Sequence, residues 1–242
     1  MENVWAIILA GGKGSRMNAQ DVNKVAMKVA GVPLLVHTVQ NLKKAHIANI
    51  CIVVGFAKDS VTQLFSEDIV FAEQKEQLGT GHAAKIGFEV ISPTEDVFIL
   101  YGDDSYSYTP EIYTHLYERH KESSADMTFL TLKTDNPSGL GRVVRDENHA
   151  VIGIVEEKDA TEEQKKITEI NPACYIFSYD FLKKNIAEIP KSNITGEYYL
   201  TYLVEQAVSQ GVTIATYTDD TVIWRGVNTP SELDTANQMF NS

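Results

Sequence analysis

The chain is 242 residues long, enough for one large α/β domain or two small ones and for a substantial buried core. Its 43% hydrophobic content excludes a disordered chain, and a net charge of -12, from 33 acidic and 21 basic residues, argues against nucleic-acid or anionic-membrane partners. The two cysteines, Cys51 and Cys174, lie in apolar runs and read as buried free thiols, the six histidines lack metal-ligand spacing, and no signal peptide or membrane-length run is seen, so a cytoplasmic location is expected.

The first predicted element is a buried strand over 5–10, an apolar run closed by glycines. Gly11-Gly12-Lys13-Gly14-Ser15-Arg16-Met17 follows at once, and Lys24 lies a little further on. Glycines let a backbone approach an anion without Cβ interference, and the cations Lys13, Arg16 and Lys24 run against the acidic trend of the chain. The stretch reads as a phosphate cradle; an ordinary glycine-rich turn with solvated charges is the bland alternative. It is not a P-loop, because Lys13 is followed by Gly14 and Ile7 stands where the first glycine belongs. It is a poor dinucleotide fingerprint too: Met17 replaces the last glycine, and no carboxylate closes the strand over 50–54.

Pro33 opens a helix carrying Leu34, Leu35, Val39 and Leu42 at helical spacing. The strand over 50–54 follows, then a short helix over 58–65, a strand over 69–72, a helix beginning in Gly79-Thr80-Gly81-His82-Ala83, and a buried strand over 97–101. This alternation predicts a parallel sheet with right-handed crossovers and ligands at the carboxyl ends of its strands. The second half reads as more antiparallel: a helix over 110–122, strands over 126–133, 141–146, 150–156 and 169–177, and a capped short helix at Thr161-Glu162-Glu163-Gln164. Helices over 179–186 and 197–210, strands over 212–217 and 221–224, and a helix from Pro230 close the chain. With no linker or internal repeat, residues 1–242 form a single domain, with a nucleotide-binding lobe over about 1–103 and a second lobe over about 104–242.

Several stretches carry candidate chemistry. Gln74 offers an amide suited to a nucleobase edge, Gly79 and Gly81 leave room for a flat ring, and Thr80 is placed to cap the helix. Asp103 follows an apolar strand directly and suits Mg²⁺ held by one carboxylate and substrate phosphates, with Asp104 competing for the role. Gly141, Glu156, Lys158, Asn171, Gly196-Glu197-Tyr198 and Gly226-Val227-Asn228 fall at strand ends and turns, where each alone has a plain structural reading.

Together, LAGGKGSRM, the lysine of NKVAMKVAGVPLLVHTV, EQLGTGHA, LYGD, NPSGLGRVVR, IVEEKDATEEQKKITEIN, GEYYLT and GVN occur in family order over positions 9–228. The chain resembles the sugar nucleotidyltransferases, most closely the N-terminal N-acetylglucosamine-1-phosphate uridylyltransferase domain of a bifunctional bacterial enzyme. The resemblance implies a Rossmann-like nucleotidyltransferase fold: a mixed, mostly parallel sheet flanked by helices, with a small antiparallel extension in the sugar-binding half. It implies Arg16 and Lys24 as catalytic residues. Leu9, Ala10, Gly11, Gly12, Gly14, Ser15, Gln74, Gly79 and Thr80 would bind nucleotide, with the last three reading a uracil base. Tyr101, Gly141, Glu156, Lys158, Asn171 and Thr201 would line the sugar-phosphate site, and Asp103 and Asn228 would hold Mg²⁺.

The implied reaction joins UTP and a sugar-1-phosphate by in-line attack on the α-phosphorus. The phosphate nucleophile, with a second pKa near ~6, needs no general base. Three departures from the family pattern stand out: Asp104-Ser105-Tyr106-Ser107-Tyr108, Pro172-Ala173, and Asn23 before Lys24. The first two are expected beside the sugar pocket and leave the sugar open. The chain ends without hexapeptide repeats, so the family's left-handed β-helix acetyltransferase half is expected to be absent. A cytidylyltransferase, a nucleotide-sugar sensor without turnover and a dinucleotide oxidoreductase are the rival readings, and association into a homo-oligomer stays open.

Overall fold

The structure is a computed structural model that describes residues 1, 3–17, 21–66, 68–219 and 226–240. In chain order it runs β1 (Val4–Ala10), α1 (Leu34–Lys44), β2 (Asn49–Val54), α2 (Lys58–Thr62), β3 (Val70–Glu73), α3 (Thr80–Phe88) and β4 (Asp96–Tyr101). It continues with α4 (Pro110–Glu122), β5 (Met127–Lys133), β6 (Gly141–Arg145), β7 (Val151–Val155), β8 (Glu169–Asn171), β9 (Cys174–Ser178) and α5 (Tyr179–Asn185). The chain closes with α6 (Tyr202–Gln210), β10 (Ile214–Thr218) and α7 (Pro230–Phe240).

Ten strands form one sheet in the order β3-β2-β1-β4-β9-β5-β8-β6-β7, with β10 also paired to β5. Pairings among β3, β2, β1 and β4 are parallel. β9 then enters antiparallel between β4 and β5, and β8, β6 and β7 continue antiparallel. The fold is therefore the expected mixed, mostly parallel α/β sheet with an antiparallel extension.

β1, β2 and β4 are apolar along nearly their whole length because both faces are covered. Ala6, Ile8, Ile52, Phe98 and Leu100 face one core with Leu35, Val39, Ile112 and Leu116 of α1 and α4. Ile7, Leu9, Val53, Val97 and Ile99 face the other, with Ala83, Leu182, Leu203 and Val204 of α3, α5 and α6. The period-2 alternation of a strand thus sorts one run into two cores. Cys51 and Cys174 are buried free thiols in opposite cores, and burial pushes Cys51 up to about 12.

Three boundaries differ from expectation. The strand over 169–177 is two strands, β8 and β9, broken at Pro172-Ala173, where Ala173 takes φ +57°. Proline has no N–H for the ladder, and the left-handed residue turns the chain out of it. The helix over 197–210 begins only at Tyr202, because Tyr198 and Leu200 pair with the turn before α3 instead. The short helix over 58–65 stops after Thr62. Thr161 and Gln164 exchange the reciprocal bonds of a capping box at 2.9 and 3.2 Å, but the helix is one 3₁₀ turn over Gln164–Lys166. The strand over 221–224 lies outside the described residues. No helix among the described residues is long and apolar enough to cross a membrane.

Gly87 shows how closely α3 lies on the sheet. A Cβ there would stand 2.5 Å from Ile7 Cγ2 and 2.9 Å from Val53 Cγ2. Gly87→Val is expected to lower stability by about 1–3 kcal/mol through overpacking, read as a lower urea midpoint.

Candidate active site

A cleft of about 640 Å³ opens at the carboxyl ends of β1 and β4, where the parallel part of the sheet meets its antiparallel part. In-register pairing sets Leu9 beside Tyr101, and Gly102 N–H donates to Leu9 O at 3.0 Å, so the residues after both strands emerge together. Of the expected site residues, Leu9, Ala10, Gly11, Gly12, Arg16, Lys24, Gln74, Gly79, Thr80, Tyr101, Asp103, Gly141, Glu156, Asn171, Thr201 and Asn228 line it. Gly14 and Lys158 do not. Ser15 falls in the 3₁₀ turn Ser15–Met17.

The cradle is shaped from below. Gly12 has open space where a side chain would be, whereas a Cβ on Gly11 would meet Gln74 Oε1 at 2.8 Å. Gly14 takes φ +55°, and a Cβ there would stand 3.4 Å from the aliphatic stem of Lys24, so a glycine at this position serves the turn. The buried Asn23 stitches the loop: its Nδ2 donates to Ala10 O at 3.0 Å and Phe56 O at 2.9 Å, while its Oδ1 accepts Val25 N–H at 3.2 Å. This explains the departure at position 23. A helix-capping residue type before a lysine was the available signal, but the partners lie far along the chain.

Lys24 Nζ bonds the Asp103 carboxylate and, at 2.9 Å, Asn228 Oδ1; Arg16 Nη2 donates to the same Asn228 oxygen at 3.0 Å. Two hard oxygens, Asp103 Oδ2 and Asn228 Oδ1, thus converge on one cationic centre. Among the described residues no group of three or more His, Cys, Asp or Glu is arranged to hold a metal ion. A divalent cation here would take these two protein oxygens and complete its shell from bound phosphates, a donor set that fits Mg²⁺. Asn228 is itself placed by the start of α7: its N–H donates to Glu232 Oε2 at 2.8 Å, and the Thr229 hydroxyl donates to Glu232 Oε2 and accepts Glu232 N–H. Asp104 also lines the cleft, with Oδ1 sealed from solvent and unpartnered among the described residues. It fills the space of a side chain at Gly226, where a Cβ would come within 2.3 Å. Burial, and then the Asp103 charge, push its carboxyl well above the usual range, with Lys24 opposing.

At the expected base end, Gln74 is buried, and its Nε2 donates to Gly79 O and His82 Nδ1, both at 3.1 Å. The room beside Gly79 and Gly81 is not left for a flat ring on that side. Cβ atoms there would meet Tyr198 O at 2.5 and 3.2 Å, because Tyr198 pairs with Leu78 and Gly81. Thr80 does not cap its own helix; its Oγ1 accepts Leu200 N–H at 3.0 Å. Segment 197–200 therefore braces the turn, and Gln77 and Glu197 join the lining.

At the opposite end, Glu156 lies beside Gly141, 3.7 Å from where a Cβ there would be, while the tighter neighbour of that Cβ would be Ile154 at 3.2 Å. Burial pushes Glu156 above the usual carboxylate range, with Lys158 opposing. Burial likewise raises the Tyr101 phenol and keeps it a neutral donor. Lys158, expected to meet a phosphate, instead lies beside Tyr199, its Nζ 3.4 Å from the hydroxyl and 5.8 Å from the ring centre. The buried Arg142 staples this wall: it bonds Leu140 O and Glu157, and Glu157 accepts Gly139 N–H at 3.1 Å. Asn171 is tied to the Tyr175 hydroxyl and, at 3.2 Å, to Ala173 N–H.

The two remaining departures prove to be one feature. Tyr106 and Tyr108 are core residues rather than pocket residues, and the Tyr108 hydroxyl donates to Pro172 O. Only Asp104 and Ala173 of these stretches reach the cleft.

Glycine turns, converging cations and an acidic pair thus meet at the ends of β1 and β4. A family model described as nucleotidyl transferase matches residues 5–242, and the chain belongs to that family. It is 39% identical over 216 residues to the bifunctional protein GlmU of Syntrophomonas wolfei subsp. wolfei, covering 89% of this chain and 48% of that protein. It is 36% identical over 243 residues to the bifunctional protein GlmU of Clostridioides difficile, covering 98% and 52%. The chain spans about half the length of the curated relatives it matches. Among solved structures, a Bacillus anthracis chain described as a glucose-1-phosphate thymidylyltransferase, in complex with a sucrose, has a TM-score of 0.81 at 22% identity, covering 98% of this chain and 94% of that one. That likeness is one of fold.

Asn23→Ala removes two donors from backbone carbonyls that then lie unpaired under the cradle. A stability loss of about 1–3 kcal/mol is expected, measured by chemical denaturation.

Proposed function

We propose that the protein transfers a uridylyl group from UTP to a sugar-1-phosphate, N-acetylglucosamine-1-phosphate or a related hexose phosphate, releasing pyrophosphate. The observation that carries this reading is the junction of Lys24, Arg16, Asp103 and Asn228 in a cleft whose far wall presents Glu156, Asn171 and Thr201. Phosphoryl chemistry needs positioned positive charge more than a proton-transfer group. Arg16 and Lys24 neutralise charge building on the phosphates, and the Gly11–Gly12 backbone lets them approach. Asp103 and Asn228 hold Mg²⁺, which when bound supplies Lewis-acid stabilisation of the phosphate oxygens. The sugar phosphate arrives largely dianionic, its second pKa being near ~6, so no side chain has to remove a proton. Glu156 and Asn171 orient the sugar hydroxyls so that the nucleophile lies in line with the departing pyrophosphate. The site residues sit within a single domain, and no membrane or nucleic-acid partner is part of this reading.

The direct test is pyrophosphate release from a panel of nucleoside triphosphates against a panel of sugar-1-phosphates, with and without Mg²⁺. Release with UTP and a hexosamine or hexose phosphate, dependent on Mg²⁺, is expected; no release with any pair would leave a nucleotide-sugar sensor. Asp103→Asn is expected to lower kcat by about 10²-fold or more with the melting temperature preserved; unchanged turnover would shift the metal role to Asp104. Glu156→Gln is expected to raise the KM for sugar phosphate by about tenfold while that for UTP stays within about twofold. Equal effects on both substrates would remove Glu156 from the sugar end.

A further inference from the structure

The Gln74 amide is held by two groups of different chemistry. Its Nε2 lies 3.1 Å from Gly79 O and 3.1 Å from His82 Nδ1. A carbonyl oxygen only accepts, so the NH₂ side of the amide must face Gly79; the flipped amide would set two acceptors against each other. With the amide fixed, His82 Nδ1 must also accept. The imidazole is therefore the neutral tautomer with its proton on Nε2. Both amide hydrogens are then used inside the protein. What remains is Oε1, to which no described residue donates and which lies 2.8 Å from where a Gly11 Cβ would stand. Gln74 and Gly11 line the same cleft.

His82 is absent from that lining. Its ring lies 6.2 Å from that of Tyr198 and borders a separate cavity of about 210 Å³ with Lys85, Ile186 and Ile189. Its action on the cleft passes through Gln74.

We propose that His82 is a specificity-determining positioning residue for the nucleotide. By accepting from Gln74 Nε2 it presents Oε1 to the base as a lone acceptor. An acceptor at that point favours bases with a ring imino N–H, namely uracil, thymine or guanine. It opposes cytosine and adenine, whose corresponding ring nitrogen is itself an acceptor. The inference rests on the reading that this cleft binds a nucleotide with its base at Gln74.

The test measures nucleotide affinity by calorimetry with UTP, dTTP, GTP, CTP and ATP, and kcat and KM where turnover occurs. The wild type is compared with His82→Phe, which keeps a ring beside Tyr198 without the acceptor, and with His82→Asn, whose amide oxygen can stand near the Nδ1 position. His82→Leu replaces the Phe variant if that one fails to fold. In His82→Phe, preference for imino bases over CTP is expected to fall about fivefold to tenfold, with kcat and sugar-phosphate KM within about twofold. His82→Asn is expected to recover most of the preference at an unchanged melting temperature. An undiminished preference in both the Phe and Leu variants, an equal loss on every substrate, or no recovery in the Asn variant overturns the proposal. A wild type that prefers GTP or dTTP overturns the UTP assignment alone, whereas one that prefers CTP or ATP, or shows no preference, overturns the role of His82 as well.

Discussion

One ammonium group ties three distant parts of the chain to a single point. Lys24 follows the cradle, Asp103 follows β4 and Asn228 precedes α7, and the Lys24 ammonium bonds both partners. The Lys24 and Asp103 side chains are largely withdrawn from water, where an unmatched charge is costly. Much of the surrounding architecture keeps that match. Gly14 turns the chain beside the lysine stem, Asn23 fixes the loop before it, and the capping pair Thr229–Glu232 sets Asn228. Asp104 and Glu232 also lie beside Lys24 and Arg16, and burial favours the neutral form of the Asp104 carboxyl.

The other half of the cleft is held by different means. Arg142 is buried yet satisfied chiefly by one backbone carbonyl and one carboxylate, fastening 139–141 to the chain after β7. The bond from Tyr108 to Pro172 O fastens the break between β8 and β9. Ala173 adopts a left-handed conformation that an alanine takes only at a cost of about 1 kcal/mol or more, so it persists because its neighbours hold it. Asn171 Oδ1 and Tyr101 N–H grip it from either side.

Much of this was legible in the sequence. β1, β2 and β4 could be read because strands covered on both faces are written as uninterrupted apolar runs. The helix over 110–122 matched because Pro110 starts it and Ile112, Tyr113 and Leu116 repeat at its period. The break at Pro172-Ala173 was hidden because strand residues lie on both sides of it and the interruption is two residues long. The early start given to the helix at 197 failed because Tyr198 and Leu200 take their backbone partners from 78–81, more than a hundred residues away. Asn23 was concealed too, because its acceptors at Ala10 and Phe56, 13 and 33 residues away, follow no sequence spacing. Lys158 was misplaced because a cation near a phosphate site says nothing about which way its stem turns.

The position of β9 has a mechanical consequence. Its Cys174–Ser178 segment is laddered to β4 on one edge and to β5 on the other. The two regions flanking the cleft are therefore not two bodies joined by a hinge but neighbouring parts of one hydrogen-bonded plate. They cannot swing together like a jaw without tearing a hydrogen-bonded seam.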